Sequence, residues 1–275
     1  MTVEPTLDLA FRAAPDGTTV LARRRVRHPF SVQAAMRDVR GRPNCARVFV
    51  QSASGGIFAD ETIGQRVVVQ DGAELRVEMP AATVVHAMRD GSSSRQRIEL
   101  RAGAGGLLEY LPRPLILFPS SRLAQIVEVE AADDARLLIG DGFMMHDPQS
   151  GGGAFDRFDS RLVVRRPDGA LVLDDRSFAT GLAMRAQAPG LSGRHGALGS
   201  LLMIAPQTEA SAPAHVRELH ALLEGMAGLH AGATALRTQA GLLVRILAVD
   251  GGTLAQAQAL VAQRMRDMLW RRADG

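Results

Sequence analysis

The 275-residue chain contains no lysine, a single cysteine, a single tryptophan and a single tyrosine. Without lysine, the usual phosphate loop ending in Gly-Lys-Ser/Thr is excluded. One cysteine, Cys45, rules out an internal disulfide, fits a reducing compartment and reads as a small buried hydrophobe. No apolar run approaches the ~20 residues that a membrane-spanning helix requires, so no membrane segment is expected. The start, Met1-Thr-Val-Glu4, lacks the charged-then-apolar layout of a secretory leader, and the expected location is cytoplasmic. No stretch reads His-Glu-x-x-His or Gly-x-Ser-x-Gly, and Gly151-Gly-Gly153 lacks the helix or basic partner of a phosphate cradle. No catalytic constellation emerges, and the chain is expected not to be an enzyme.

What is present is arginine and hydrophobic residues. All 32 basic side chains are Arg, against 29 acidic ones, giving a net charge of +3 beside a pI of 10.2. Almost nothing titrates between neutrality and the arginine range, so the pI overstates the basicity. The cluster Arg23-Arg24-Arg25-Val26-Arg27 has no aromatic neighbours and belongs to no nucleic-acid module. It reads as a solvated face or protein contact, and no nucleic-acid partner is expected. With 46% hydrophobic residues the chain is globular and long enough to bury a substantial core.

The hydrophobic residues are arranged in a repeat. Gln65-Arg-Val-Val-Val-Gln70 and Ala73-Glu-Leu-Arg-Val-Glu-Met79 flank Asp71-Gly72, which favours a tight turn between strands. The same pattern recurs around Ala102 to Gly106, around Ala132-Asp133-Asp134 and around Pro167-Asp168-Gly169. Taking Gly72, Gly103, Asp134 and Gly169 as markers, the steps are 31, 31 and 35 residues. Two strands per step at this period point to stacked β-layers, with an ordinary β-sandwich of similar hairpins as the alternative.

Before the repeat, Leu7 to Phe11 and Thr18 to Ala22 flank Pro15-Asp16-Gly17 as an opening hairpin. Residues 37–44 read as a loop before the strand Ala46 to Val50. After it, Leu198 to Ile204 and Leu242 to Leu247 read as strands. Ser211 is placed to cap a helix carrying Val216, Leu219, Leu223, Met226 and Leu229. Thr253 is placed to cap a second, carrying Leu254, Ala257, Val261, Met265 and Met268. His215, His220 and His230 do not share a helix face and read as surface residues.

Ser54-Gly55-Gly56-Ile57, Glu61, Val67-Val-Val69, Gly72-Ala73 and Ala81-Ala-Thr83 occur in an order that resembles the urease accessory protein family UreD, also called UreH. The resemblance continues through Leu108-Glu-Tyr-Leu-Pro112, Leu115 to Pro119, Ala135 to Leu138, Gly241 to Leu247 and Leu269-Trp-Arg271. Departures fall at Ala59-Asp60-Glu61, where the family usually has Gly-Gly-Asp, at Thr83 to Ala87, and at Met144 to Gly153. The resemblance implies one domain over 1–275, mainly β and β-solenoid-like, with a β body at about 1–205 and about two C-terminal helices within 206–275.

It also implies a scaffold that binds apo-urease, docks the accessory protein UreF and the GTPase UreG, and guides nickel in transit, with no tightly bound cofactor. The C-terminal helices are expected on or beside the β body, exposing an accessory-protein interface. Candidate transit ligands are Glu61, which takes the family's acidic position, Asp60 and His146. As strand residues, Asp60 and Glu61 point to opposite faces and would not chelate one ion together. His146, beside Met144, Met145 and Asp147, offers imidazole, thioether and carboxylate, although Met-rich segments more often pack. Two alternatives remain: a scaffold of the same family serving another metalloenzyme, and a β-solenoid enzyme acting on a polymer such as a polysaccharide.

Overall fold

The computed structural model describes residues 4–37, 42–89, 91–206 and 213–270. Strands β1 (Leu7–Ala13) and β2 (Thr19–Val26) form the expected opening hairpin. At its turn Thr18 donates from N and Oγ1 to Asp16 Oδ1, at 3.0 and 2.6 Å, while Gly17 takes φ +81°. Short strands β3 (Phe30–Val32) and β4 (Met36–Arg37) pair with β5 (Ala46–Ser52). Residues 38–41 of the expected loop lie outside the described residues.

From β5 the chain winds in layers. β6 (Thr62–Val69), β9 (Ser94–Ala102), β12 (Arg122–Ala131) and β14 (Arg157–Arg165) run parallel in one sheet. β5, β7 (Glu74–Glu78), β10 (Leu107–Leu111) and β13 (Arg136–Met145) run parallel in the other. β8 (Val84–Val85) and β11 (Leu115–Leu117) add a narrow third ladder beside the end of β13. The strands flanking Gly72, Gly103 and Asp134 therefore do not pair with each other. Each turn is an arch that carries the chain from one sheet to the facing one, giving the expected β-solenoid-like stack.

Parallel pairing in register puts like residues on top of one another. Val67, Leu100, Val129 and Val164 form one buried row, and Leu75, Leu108 and Leu137 form a row on the facing sheet. Each layer covers its neighbour's apolar face, which no single layer could bury alone. The arches stack as closely: Asp71 Oδ1 accepts from Ala104 N at 2.9 Å, and Gly72 N donates to Ala104 O at 2.8 Å. Arg166 closes the stack by donating to Ala132 O at 2.8 Å.

The fourth marker behaves differently. β14 and β15 (Leu171–Ala179) pair antiparallel, so Pro167-Asp168-Gly169 is a hairpin within one sheet and ends the winding. Beyond it come α1 (Gly181–Arg185), a short helix absent from the sequence reading, and β16 (Ala197–Ile204), which runs antiparallel to β13. The sheet is completed, past residue 205, by β17 (Leu229–Ala235) and β18 (Gly241–Ala248). The final orders are β15-β14-β12-β9-β6-β1-β2 and β17-β18-β16-β13-β10-β7-β5-β3.

Helices α2 (Pro213–Glu224) and α3 (Gly251–Trp270) lie on the outer face of the second sheet. Leu254, Ala257, Val261, Met265 and Met268 are buried there as expected, against Leu201, Met203, Leu242 and Val244. Two expectations about the helix ends are corrected. α3 begins before Thr253, because Asp250 Oδ1 accepts from Thr253 N at 2.7 Å and caps the helix. α2 stops at Glu224, so Met226 lies past its end and Leu229 opens β17. Ser211 lies outside the described residues. Glu109, only 3% exposed on β10, is held by Arg266 of α3 and by Arg76 at 3.3 Å, and pins the helix to the sheet.

Gly103 has no room for a side chain, since an added Cβ would lie 2.9 Å from Asp71 N and closer still to its carboxylate. Gly103→Ala is expected to destabilise the chain by about 1–3 kcal/mol. A urea midpoint equal to that of the unmodified protein would refute the stacked-arch account.

Candidate functional site

Between the two sheets the interior is not uniformly apolar. One cluster, containing Val67, Leu75, Leu100 and Leu137, fills the arch end, and another, containing Ile57, Leu123, Phe143 and Phe158, fills the opposite end. The inward positions between them are polar. On the first sheet Gln96, Gln125, Ser160 and Ser177 are register neighbours on β9, β12, β14 and β15. On the facing sheet Asp141, Ser200 and Arg245 are register neighbours on β13, β16 and β18. The in-register stacking that builds the core thus also builds two facing polar columns.

Asp141 is the centre of this seam. Its Oδ1 accepts from Gln125 Nε2 at 3.1 Å and from Gly142 N at 2.7 Å, and its Oδ2 accepts from Ser160 Oγ at 3.1 Å. Burial pushes the carboxyl above the usual carboxylate range, and the Asp175 charge adds to this; the three donors oppose it. Nearby, Tyr110 Oη donates to Gln65 Oε1 at 3.0 Å, and burial raises the phenol well above its ordinary value. Gln96 Oε1 is buried and has no hydrogen-bond partner among the described residues.

These groups line a cavity of about 210 Å³ whose walls include Gln65, Gln96, Tyr110, Gln125 and Asp141. A second space, an outer cleft of about 360 Å³, lies under α3 beside Glu109 and Arg266 and shares Met79, Pro112 and Arg113 with the cavity. On the other side, Asp141 and Gly142 also line a pocket of about 10 Å³ bounded by Ser160, Asp175, Ser177 and Ser200. The cavity thus shares walls with the cleft on one side and with the small pocket on the other. A polar, roomy cavity of this kind suits water, which bridges buried polar groups where protein partners are lacking.

The candidates read from the sequence lie elsewhere. Asp60, exposed at φ +65°, accepts from Ser92 Oγ at 3.0 Å, and Glu61 Oε2 accepts from Phe58 N at 2.9 Å. His146 ends a ladder of rings, Phe58, His86, Phe118 and His146, whose successive centroids are 4.3, 5.6 and 5.8 Å apart. Asp60 and Glu61 adjoin its first ring, so the structure does not gather the three into one site. Among the described residues no group of three His, Cys, Asp or Glu side chains is placed to hold a metal ion. Cys45 is buried, as expected.

The sequence reading passes over Asp141, and the one signal that could have found it is a charge between two glycines in the apolar run Leu137-Leu-Ile-Gly-Asp-Gly-Phe143. What the sequence does not give is the partner column on the facing sheet, because that depends on which strands the arches bring opposite each other.

The model of the UreD urease accessory protein family matches residues 4–274. The chain belongs to that family. It is 37% identical over 241 residues to Urease accessory protein UreD 1 of Bradyrhizobium sp. strain BTAi1, covering 88% of this chain and 83% of that one. It is 34% identical over 267 residues to Urease accessory protein UreD 1 of Pseudomonas syringae pv. syringae, covering 96% and 92%. A UreD chain is thus an accessory component of urease maturation, and no helix among its described residues is long and apolar enough to cross a membrane.

The raised pKa of Asp141 fixes the sign of a pH effect in this UreD chain. The native state retains a proton that the unfolded chain has already released. The penalty is absent below about pH 4 and grows as pH rises through the native pKa. Asp141→Asn removes the titration, and the variant is expected to be more stable than the unmodified protein at pH 7, with the difference closing towards pH 4. Urea midpoints across that range check this; a difference independent of pH would refute it.

Proposed function

We propose that this chain is a scaffold and nickel conduit for urease maturation. In this reading it binds apo-urease in the cytoplasm, docks a UreF-type accessory protein, and receives nickel brought by a UreG-type GTPase. The observation that carries the reading is the polar seam with Asp141 at its centre. A divalent cation entering a low-dielectric interior needs oxygen atoms to replace its water, and the seam offers a carboxylate, amides and hydroxyls at successive layers. These ligands are spread along a path and do not close into a cage, so an ion is passed on and not stored. Asp60, Glu61 and His146 would then act outside the seam, on the exterior around the ring ladder.

The same features support a non-catalytic role. A polymer-acting enzyme needs an open groove lined by carboxylates. The polar space here lies between the sheets. The exposed side of α2 and α3 is the proposed accessory-protein face, and Leu260, 46% exposed on α3, is its apolar mark. Truncating from Leu254 would not test this face, since Leu254, Ala257 and Val261 belong to the core.

The test is coexpression of urease subunits and the other accessory proteins with this chain or its Asp141→Asn variant. Urease nickel content and activity are expected to fall about tenfold, the equivalent of losing about 1.4 kcal/mol of cation stabilisation, while the variant still copurifies with its partners. Full nickel loading with Asp141→Asn would overturn the conduit.

A further inference from the structure

Where the winding stops, the two sheets do not finish level. Val172 and Leu173 of β15 pack with Leu236, Ala240 and Leu243, Asp175 pairs with Arg245, and Thr238 Oγ1 donates to Val172 O at 3.4 Å. β15 therefore lies opposite β18 and the turn that leads into it. β17 stands on the far side of β18, and no described strand of the first sheet lies opposite it. Exposure agrees with this. On the inner face of β17, His230 and Thr234 are exposed on either side of Gly232, whereas Leu229, Ala231 and Ala233 on its outer face pack under the helices. The result is a ledge one strand wide beside β15.

The four sheet ends also differ in how they are closed. β3 is only three residues long, and β2 carries Arg23-Arg24-Arg25. β17 is covered by α2, whose His220 Nε2 lies 2.9 Å from Ala233 O. β15 is nine residues long, and its Asp174 and Arg176 are already engaged within the sheet by Arg161 and Asp159. Among the described residues only Thr238 reaches its backbone from outside that sheet. Such an edge is a row of unpaired N–H and C=O groups, a template for another strand.

We infer that the β15 edge accepts one extended segment of a partner protein, which joins the seven-stranded sheet as an added strand and lies on the inner face of β17. A second copy of this chain does not fit. Neighbouring strands lie about 4.8 Å apart in either sheet, so joining two β15 edges would force both β17 strands into the same space. The alternating side chains of the added strand are polar where they meet His230 and Thr234. They are apolar on the outer face, beside Phe178 and Leu171, which are 58% and 49% exposed. The inference rests on the scaffold part of the proposed function and not on the conduit, and it adds a binding surface separate from the helix face.

The experiment is hydrogen exchange on the full-length chain, alone and copurified with apo-urease or with the UreF-type accessory protein. Peptides covering β15 are expected to exchange about tenfold more slowly in one of the two complexes. Thr234→Trp, which fills the ledge, is expected to weaken that complex about tenfold, while Thr234→Val leaves it unchanged. His230→Trp carries the same expectation should Thr234→Trp fail to fold. Unchanged exchange across β15 in both complexes, or full binding by the Trp variants, overturns the ledge and leaves the scaffold standing. Protection of β15 in a dimer of the chain alone overturns the choice of a partner strand. A chain that copurifies with neither protein overturns both the ledge and the scaffold.

Discussion

The constraint on which the rest of this molecule depends is register. In the parallel stack each residue sits beside its equivalent in the next layer, so the choice at one position is imposed along a whole row. Where the row is apolar, as at Val67, Leu100, Val129 and Val164, the layers seal into a core. Where it is polar, as at Gln96, Gln125 and Ser160, the same rule makes a path instead of an isolated defect. An isolated buried amide costs stability unless satisfied; here Gln125 donates to Ser160 and Asp141, while Gln96 Oε1 finds no partner among the described residues and is placed to take a water.

The sequence carried the repeat but not its geometry. Asp71-Gly72 and Asp168-Gly169 look alike, yet the first is an arch between sheets and the second a hairpin within one. Local turn chemistry is the same in both, and the difference lies in whether another layer is there to receive the outgoing strand. Gly103 is informative in retrospect, because its lack of a side chain is required by the arch beneath it, a contact between residues in different layers. The C-terminal helices were legible from periodicity, while their ends were not. Gly251 and Gly252 are poor helix formers, and only the cap from Asp250 shows that the helix starts there.

The candidate site was less legible than the fold. Asp60, Glu61 and His146 attract notice because acidic and imidazole groups beside glycines look exposed and available, and they lie outside the interior seam. Asp141 is inconspicuous by composition and important by position, since strand alternation turns it inward towards Gln125 and Ser160, which are on the other sheet. No reading of a single strand pairs residues that meet only after the chain has crossed an arch.

Three carboxylates show how burial alone does not determine a role. Glu109 is enclosed by two arginines that are themselves buried, so its charge is locked and the result is attachment of α3 to the sheet. Asp141 has hydrogen-bond donors but no cation beside it among the described residues, so burial raises its pKa and its carboxyl holds a proton more readily. Asp175 has a cation, but one half in water. The same degree of enclosure thus yields a locked charge, a raised pKa or a half-exposed ion pair, according to whether an arginine lies within reach and how far that arginine is itself in water.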